Sequence, residues 1–170
     1  MERWYAVMTK PRQESQALEH LERQSFQAWL PRLERELRIR GRWQTRIEPL
    51  FPRYLFLRGR AGVDDFSTVR STRGVSDFVR FGVEPAIVPD QVIEYLQETA
   101  DPDTGIHHLG QSARRFKSGD RVLVLEGPFA GLEGVLLQEK GEDRVIVLLS
   151  ILGGQRNVAM SPENLVRQGS

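Results

Sequence analysis

The residues with the clearest capacity for chemistry form a polar stripe near the start of the chain. Pro11 suits the first turn of a helix, and the residues from Arg12 to Gln24 are predicted to continue it. Residues three and four apart stack on one helix face, so the apolar Ala17, Leu18 and Leu21 face a core. The opposite face and the cations just before the helix make up the polar stripe, which comprises Lys10, Arg12, Gln13, Gln16, His20 and Arg23.

This polar stripe offers many hydrogen-bond donors and few charged acceptors, because Glu14, Glu19 and Glu22 lie off it. Such a set suits the phosphates and base edges of nucleic acid. An ordinary solvent-facing helix surface is the alternative interpretation. The net charge of the chain is only +1, so bulk charge does not by itself indicate a nucleic-acid partner.

A second basic segment runs from Arg32 to Arg46 and carries six arginines against two acids. Gly41 lies in its middle and predicts the turn of a hairpin. The local excess of positive charge is compatible with a binding surface and equally with a solvated hairpin.

Enzymatic and metal chemistry are not expected. The absence of cysteine excludes disulfides and thiolate metal sites, and it suits a cytoplasmic protein. No phosphate-cradling loop and no Ser/His/Asp grouping stands out, and no apolar run approaches the roughly 20 residues that span a bilayer. Four residues carry side chains that ligate metals, but their spacing matches no strong motif, so neither metal nor cofactor is predicted: Asp101, Asp103, His107 and His108.

The stretch that must position these residues runs from Glu48 to Leu57, and its second half is predicted to be a β-strand. Alternate strand residues point to opposite faces, so Tyr54 and Phe56 share one face while Leu55 and Leu57 share the other. Both faces are apolar. One can lie under the domain's own helices, and the other then needs a cover or a partner.

Further elements are predicted on either side of this strand. Strands are expected at Trp4 to Met8, Gln27 to Leu30 and Val75 to Phe81, and a short helix within Val63 to Thr72. Asp90 is a predicted N-cap for a helix with an apolar stripe of Val92, Ile93 and Leu96. Residues 99–112 lose periodicity and are predicted to be a linker.

The C-terminal part satisfies two periods at once. Short strands with glycine turns favour a small β-barrel, with Val145 to Ile151 as one strand, yet Val145, Leu148, Leu149 and Leu152 also repeat with a helical period. An interior helix over the preceding segment would have to accommodate Pro128 and three glycines at a cost of roughly 6 kcal/mol. We therefore expect β structure when this part is free, and a helix only where docking on an apolar surface offsets that cost.

Two motifs resemble the NusG/RfaH family of transcription elongation factors, and the resemblance covers nearly the whole chain. Trp4-Tyr5 with Lys10, followed by residues 50–56 (Leu-Phe-Pro-Arg-Tyr-Leu-Phe), is similar to the N-terminal domain of that family. Residues 119–134, with Gly119-Asp120-Arg121-Val122 and Gly127-Pro128, look like its KOW motif. Residues 72–82 and 85–89 resemble the RfaH, or antitermination, branch more than general NusG.

The resemblance implies an α+β protein with three parts. Residues 1–100 would be an N-terminal antiparallel α/β sandwich, residues 101–113 a linker, and residues 114–170 a KOW domain. That last domain would be a small β-barrel when free and an α-helical hairpin when docked on the first. An interdomain ion pair would join Glu48 to Arg144.

The resemblance also implies partners and residue sets for a cytoplasmic, monomeric protein with no membrane partner. RNA polymerase clamp helices would bind a pocket of Tyr54, Phe56, Phe81, Ile93 and Leu96, with a second polymerase contact near Thr68. The non-template DNA strand would bind Lys10, Arg12, Gln13, Gln16, His20, Arg23, Thr72 and Arg73. A ribosomal small-subunit protein would bind the free C-terminal domain.

Three functions follow from these expectations. The first is an operon-specific antitermination factor that suppresses pausing and termination. The second is a general NusG-like elongation factor without sequence-specific recruitment. The third is a KOW-containing protein that binds the ribosome or RNA and has no polymerase partner.

Overall fold

The structure is a computed structural model that describes residues 2–108, 132, 135 and 138–153. The predicted KOW motif at residues 119–134 lies outside the described residues, apart from Leu132. The strands are β1 (Arg3–Thr9), β2 (Gln27–Trp29), β3 (Arg32–Ile39), β4 (Arg42–Pro49), β5 (Tyr54–Gly59), β6 (Val75–Phe78), β7 (Ile87–Val88) and β8 (Ile106–His108). The helices are α1 (Glu14–Arg23), α2 (Phe66–Arg70), α3 (Asp90–Thr99) and α4 (Gly141–Gly153).

The main sheet is antiparallel and has the order β2-β5-β1-β6, with β7 also paired to β1. β1 is central because it pairs with β5 along one edge and with β6 and β7 along the other. Its buried Tyr5, Ala6 and Val7 fit such a position. The mixed helix and sheet architecture agrees with the predicted α/β fold of the N-terminal part.

The predicted division of β5 into two apolar faces is confirmed. Leu55 and Leu57 lie in a core cluster with Ala17 and Leu21 of α1, so α1 covers that face. Phe56 lies in a separate cluster, and Tyr54 packs against it. Each face of this strand therefore has its own core, and only one of the two is closed by α1.

A second, three-stranded sheet has the order β4-β3-β8. The predicted hairpin is confirmed: β3 and β4 pair from Arg32↔Pro49 to Ile39↔Arg42, and Arg40 and Gly41 form its turn. Both turn residues have positive φ angles, 53° and 78°, as tight hairpin turns require. β4 is exposed over most of its length, so this hairpin extends away from the core.

Two predictions about the segment after β7 are wrong. The N-cap of α3 is Pro89, and Asp90 is the first helical residue, where its negative charge still favours the helix dipole. The segment predicted to be a structureless linker begins with a turn and then β8, which pairs in parallel with β3. His107 in β8 is fully buried and its Nε2 lies 2.6 Å from the Leu96 carbonyl oxygen.

The interpretation of Val145 to Ile151 as a strand is also wrong in this structure, because these residues lie within helix α4. The helical period of the same residues is the one that is realised. Val147, Leu148 and Ile151 are buried in the cluster that contains Phe56. Docking on that apolar surface is the condition under which a helix was expected here.

Candidate docking surface and nucleic-acid interface

The apolar face of β5 left uncovered by α1 forms the first candidate site, here called the docking face. Its members are Tyr54, Phe56, Phe81, Ile93 and Leu96. Phe56, Ile93 and Leu96 are buried, while Tyr54 and Phe81 are partly buried around them. The strand supplies Phe56 and α3 supplies Ile93 and Leu96, so two elements of the N-terminal part build one continuous apolar surface.

Helix α4 covers this docking face. Val147, Leu148 and Ile151 lie in the same buried cluster, and Leu132 and Val135 join it from the preceding segment. These residues are far in sequence from β5 and α3, yet they share one core with them. The sequence prediction that Tyr54 and Phe56 need a cover is therefore answered by the chain itself.

Both ends of α4 approach the N-terminal part through glycines. A Cβ on Gly141 would overlap the Pro52 ring and lie 2.9 Å from its Cδ. A Cβ on Gly153 would lie 3.5 Å from the Phe81 ring, which is an ordinary contact. The first glycine is therefore required by the close approach, whereas the second is not.

One ion pair fixes α4 to the hairpin base. Arg144 is fully buried, and its Nη2 donates to the Glu48 carboxylate at 3.1 Å. Its other nitrogens donate to backbone carbonyls: Nε to Leu50 at 2.6 Å, and Nη1 to Gln138 and Glu139 at 2.8 and 3.1 Å. A buried guanidinium is tolerated here because each of its nitrogens has an acceptor.

The electrostatic cost of this burial is visible in the arginine. Burial lowers the pKa of Arg144 from its ordinary value, while the Glu48 carboxylate raises it and so opposes that effect. Glu48 itself keeps 24% of its side chain exposed. It borders a cleft of about 760 Å³ that also touches Pro52, Tyr54 and Gly141. The pair therefore has one buried partner and one partner within reach of water.

The turn before β5 carries backbone strain that sequence reasoning missed. Arg53 has a φ angle of 73°, which is uncommon for a residue with a side chain. The buried Glu14 of α1 accepts a hydrogen bond from the Arg53 backbone N–H at 2.9 Å, and Arg53 Nε donates to the Thr9 carbonyl at 3.1 Å. Helix α1 thus holds the turn that presents Tyr54, and no local signal in the sequence reveals that link.

The second candidate site, here called the polar face, combines the polar stripe with Thr72 and Arg73. Three segments meet there. Gly74 has a φ angle of 90°, and a Cβ on it would lie 3.1 Å from the Ala17 backbone nitrogen. The Lys10 backbone N–H donates to the Gly74 carbonyl at 2.8 Å. This close approach brings Arg73 beside α1 and beside Lys10.

The members of the polar face differ in how free they are to bind a ligand. Lys10, Arg12 and Arg73 are exposed and have no ion pair among the residues that the structure describes. Arg23 is exposed but pairs with Glu19. Gln13, Gln16 and His20 are partly buried along α1.

Thr72 is engaged within the protein. It is buried, its hydroxyl accepts from Gln24 Nε2 at 2.8 Å, and it donates to the Thr68 carbonyl at 2.8 Å. Its side chain therefore supports the loop that carries Arg73. A direct contact from Thr72 to a ligand would have to compete with these two hydrogen bonds.

Thr68 lies apart from the docking face. It belongs to α2, whose buried Val69 packs in the cluster on the α1 side of the sheet. Its hydroxyl donates to the Asp65 carboxylate at 2.8 Å. Hydrogen bonds from Ser67 and Thr68 lower the pKa of Asp65, which caps this short helix. The structure does not bring Thr68 together with Tyr54 and Phe56.

Two other properties concern metals and membranes. Among residues 2–108, 132, 135 and 138–153, no group of three or more His, Asp or Glu side chains could hold a metal ion. His108 lies 3.3 Å from Glu34 and 3.9 Å from Asp101, which ties β8 to β3 and to the preceding turn. Within the same described part of the chain, no helix is long and apolar enough to cross a membrane.

Comparison with known proteins gives a family. The family model described as "Transcription termination factor nusG" matches residues 2–97. The transcription termination/antitermination protein NusG of Thermus thermophilus is 30% identical over 181 residues, covering 96% of this chain and 97% of the relative. The Deinococcus radiodurans protein of the same name is 29% identical, covering 92% and 94%.

A more distant relative and a solved structure complete the comparison. The Chlamydia pneumoniae NusG is 26% identical, covering 93% of this chain and 90% of its own. A solved structure titled "Domain interaction in Thermotoga maritima NusG" is 24% identical with a TM-score of 0.40, covering 55% of this chain and 54% of its own.

The α/β domain with a covered apolar face and a separate polar face defines a binding protein. The family match spans more than half of the chain, and the Thermus thermophilus relative is aligned over nearly all of both proteins. The chain belongs to the NusG family of transcription termination/antitermination factors.

Proposed function

We propose that this protein is an operon-specific elongation and antitermination factor of the RfaH type. In this proposal its docking face binds the clamp helices of RNA polymerase, and the bound factor suppresses pausing and termination. The observation that carries the proposal is the cover over that face: Phe56, Ile93 and Leu96 are buried beneath α4. A factor whose recruitment surface is covered binds only after a second event uncovers it.

The polar face would supply that second event by binding exposed non-template DNA. Lys10, Arg12 and Arg73 are exposed cations suited to phosphates. Gln13, Gln16 and His20 would bind base edges, which are accessible where the strand is unpaired. Specific DNA at this face would then favour the arrangement in which α4 leaves the docking face.

The C-terminal part would gain its own partner on release. Once α4 leaves the docking face, the cost of a helix over Gly127 and Pro128 is no longer offset. The freed domain would form a small β-barrel that contacts a ribosomal small-subunit protein. This step links transcription to translation in the proposed function, and it rests on the sequence of the C-terminal part.

A general NusG-like factor is the second candidate. The relatives from Thermus thermophilus and Deinococcus radiodurans carry the name of termination/antitermination protein NusG, which favours it. In that case the protein would bind polymerase at any sequence. The two candidates therefore differ in sequence dependence and not in the polymerase contact.

Gel shift on paused elongation complexes distinguishes these candidates. A panel of complexes differing only in the exposed non-template sequence is titrated with the protein, and one sequence is expected to bind at least tenfold more tightly. Arg73→Ala should remove that preference, whereas Arg60→Ala, which removes an exposed arginine elsewhere, should leave it. Equal binding to every sequence would reject the operon-specific function.

The polymerase contact itself is tested by Tyr54→Ala combined with Phe56→Ala. Loss of both rings should abolish binding to the clamp helices. Because Phe56 is fully buried, Tyr54→Ala alone serves as the milder variant, and Ile47→Ala, on the exposed hairpin, serves as the control. Unchanged affinity in both Tyr54 variants would favour a KOW protein that binds the ribosome or RNA instead.

A further inference from the structure

The ion pair between Glu48 and Arg144 has a third participant, Arg35 on β3. In the hairpin register Arg35 lies opposite Arg46, and Glu48 lies two residues further along β4. The two side chains therefore occupy diagonal positions on one face of the hairpin. Arg35 Nη1 lies 3.6 Å from Glu48 Oε1, while Arg144 donates to Glu48 Oε2. One carboxylate thus serves two guanidinium groups, one oxygen each.

Arg35 also contacts the C-terminal segment directly. Its Nη1 donates to the backbone carbonyl of Glu139 at 2.8 Å. Arg144 Nη1 donates to the same carbonyl at 3.1 Å. The residues just before α4 are therefore bound from the N-terminal side by Arg35 and from their own side by Arg144.

Two effects of Arg35 on the docked helix oppose each other. Its positive charge contributes to lowering the pKa of Arg144, which disfavours the buried cation. Its hydrogen bond to the Glu139 carbonyl favours the docked arrangement, and a bond from a charged donor is among the stronger hydrogen bonds in proteins. Glu48 lies between the two guanidinium groups and reduces their repulsion. The direct bond therefore decides the sign.

We propose that Arg35 is a positioning residue that holds the segment before α4 on the N-terminal domain and that remains the partner of Glu48 when α4 leaves. Arg35 and Glu48 belong to the same hairpin, so their pairing does not depend on the C-terminal part. Release then separates Arg144 from the carboxylate without leaving Glu48 unpaired. This inference deepens the proposed function, since it concerns the same covered face.

The test measures amide hydrogen exchange in α4 of the full-length protein in the absence of polymerase and DNA. Arg35→Leu keeps an apolar stem on β3 and removes both polar contacts. We expect exchange at Val147 and Leu148 to become about tenfold faster, the size of losing one charge-assisted hydrogen bond. Exchange in β1 and β5 should stay unchanged, which separates loosening of α4 from unfolding of the domain.

Arg46→Leu is the matched control, because Arg46 lies directly opposite Arg35 and has no ion pair among the described residues. It should leave α4 exchange at the wild-type rate. The Arg35→Leu effect should persist in a Glu48→Gln background, because the bond to the Glu139 carbonyl does not use the carboxylate. An Arg35→Leu rate equal to that of Arg46→Leu, or an effect that vanishes in the Glu48→Gln background, would overturn the proposal. Neither result involves polymerase, so each is distinguishable from failure of the proposed function.

Discussion

Arg144 of α4 and Glu48 of the hairpin base are joined by a hydrogen-bonded ion pair at 3.1 Å, across 96 residues of sequence. The arginine is fully buried and the glutamate is partly exposed. Breaking such a pair by removing one partner leaves a charge in an apolar environment, which costs more than the pair itself contributes. The pair therefore makes docking of α4 depend on a single carboxylate.

Glu48→Ser should release α4 from the docking face. The uncompensated Arg144 is expected to destabilise the docked arrangement by about 3 kcal/mol, toward the low end for a buried pair because Glu48 is partly exposed. NMR spectra of the C-terminal part should change from helical toward β. Glu36→Ser, on the exposed part of β3, is the control, and a spectrum of the Glu48 variant that matches this control would contradict the latch.

Gly141→Ala should also favour release, although alanine is the better helix former by about 1 kcal/mol. The reason is the overlap of the new Cβ with Pro52. Gly153→Ala makes only an ordinary contact with Phe81 at the other end of α4 and should be tolerated. Amide exchange across α4 distinguishes the two variants, and faster exchange in the Gly153 variant than in the Gly141 variant would contradict this packing.

Gly74→Ala should disrupt the polar face. The variant combines a strained φ angle with a close approach to Ala17, and we expect a loss of about 1–3 kcal/mol of stability together with weaker DNA binding. Gly82→Ala carries similar strain in open space and is the matched control. Thermal unfolding and a gel shift measure both effects. Equal DNA binding by the two variants would mean that the contact with α1 does not position Arg73.

Glu14→Ala should loosen the turn before the docking face. The substitution leaves the Arg53 backbone N–H without its acceptor, at a cost of about 1–3 kcal/mol. Denaturant unfolding measures the loss, and NMR should show shifted signals at Tyr54. Glu22→Ala, on the exposed side of the same helix, should change neither. If both variants unfold at the same denaturant concentration, the turn does not depend on α1.

Much of the N-terminal architecture could be predicted because its patterns are local. The alternation in β5 assigns Tyr54 and Phe56 to one face, and the glycine at position 41 marks the hairpin turn. The polar stripe lies along α1 as its spacing indicates. β8 could not be predicted in this way, because a strand of three residues depends on its neighbour β3 more than on its own sequence.

The structure of residues 145–151 could not be predicted from their own sequence, since they satisfy both a strand and a helix pattern. Burial against Phe56, Ile93 and Leu96 selects the helix, which is a tertiary effect. The same holds for Arg35 and Gly141. Their importance comes from Glu139 and Pro52, which are remote in sequence and become neighbours only when α4 docks.

The central claim is that α4 and the clamp helices of RNA polymerase compete for the docking face. The most direct measurement is the affinity of full-length wild-type protein and of Glu48→Ser for an isolated clamp-helix fragment. Because only the uncovered fraction binds, the variant should bind at least tenfold more tightly, and the fragment should shift the α4 signals of the wild type. Equal affinities, with α4 signals unmoved by bound fragment, would contradict the account.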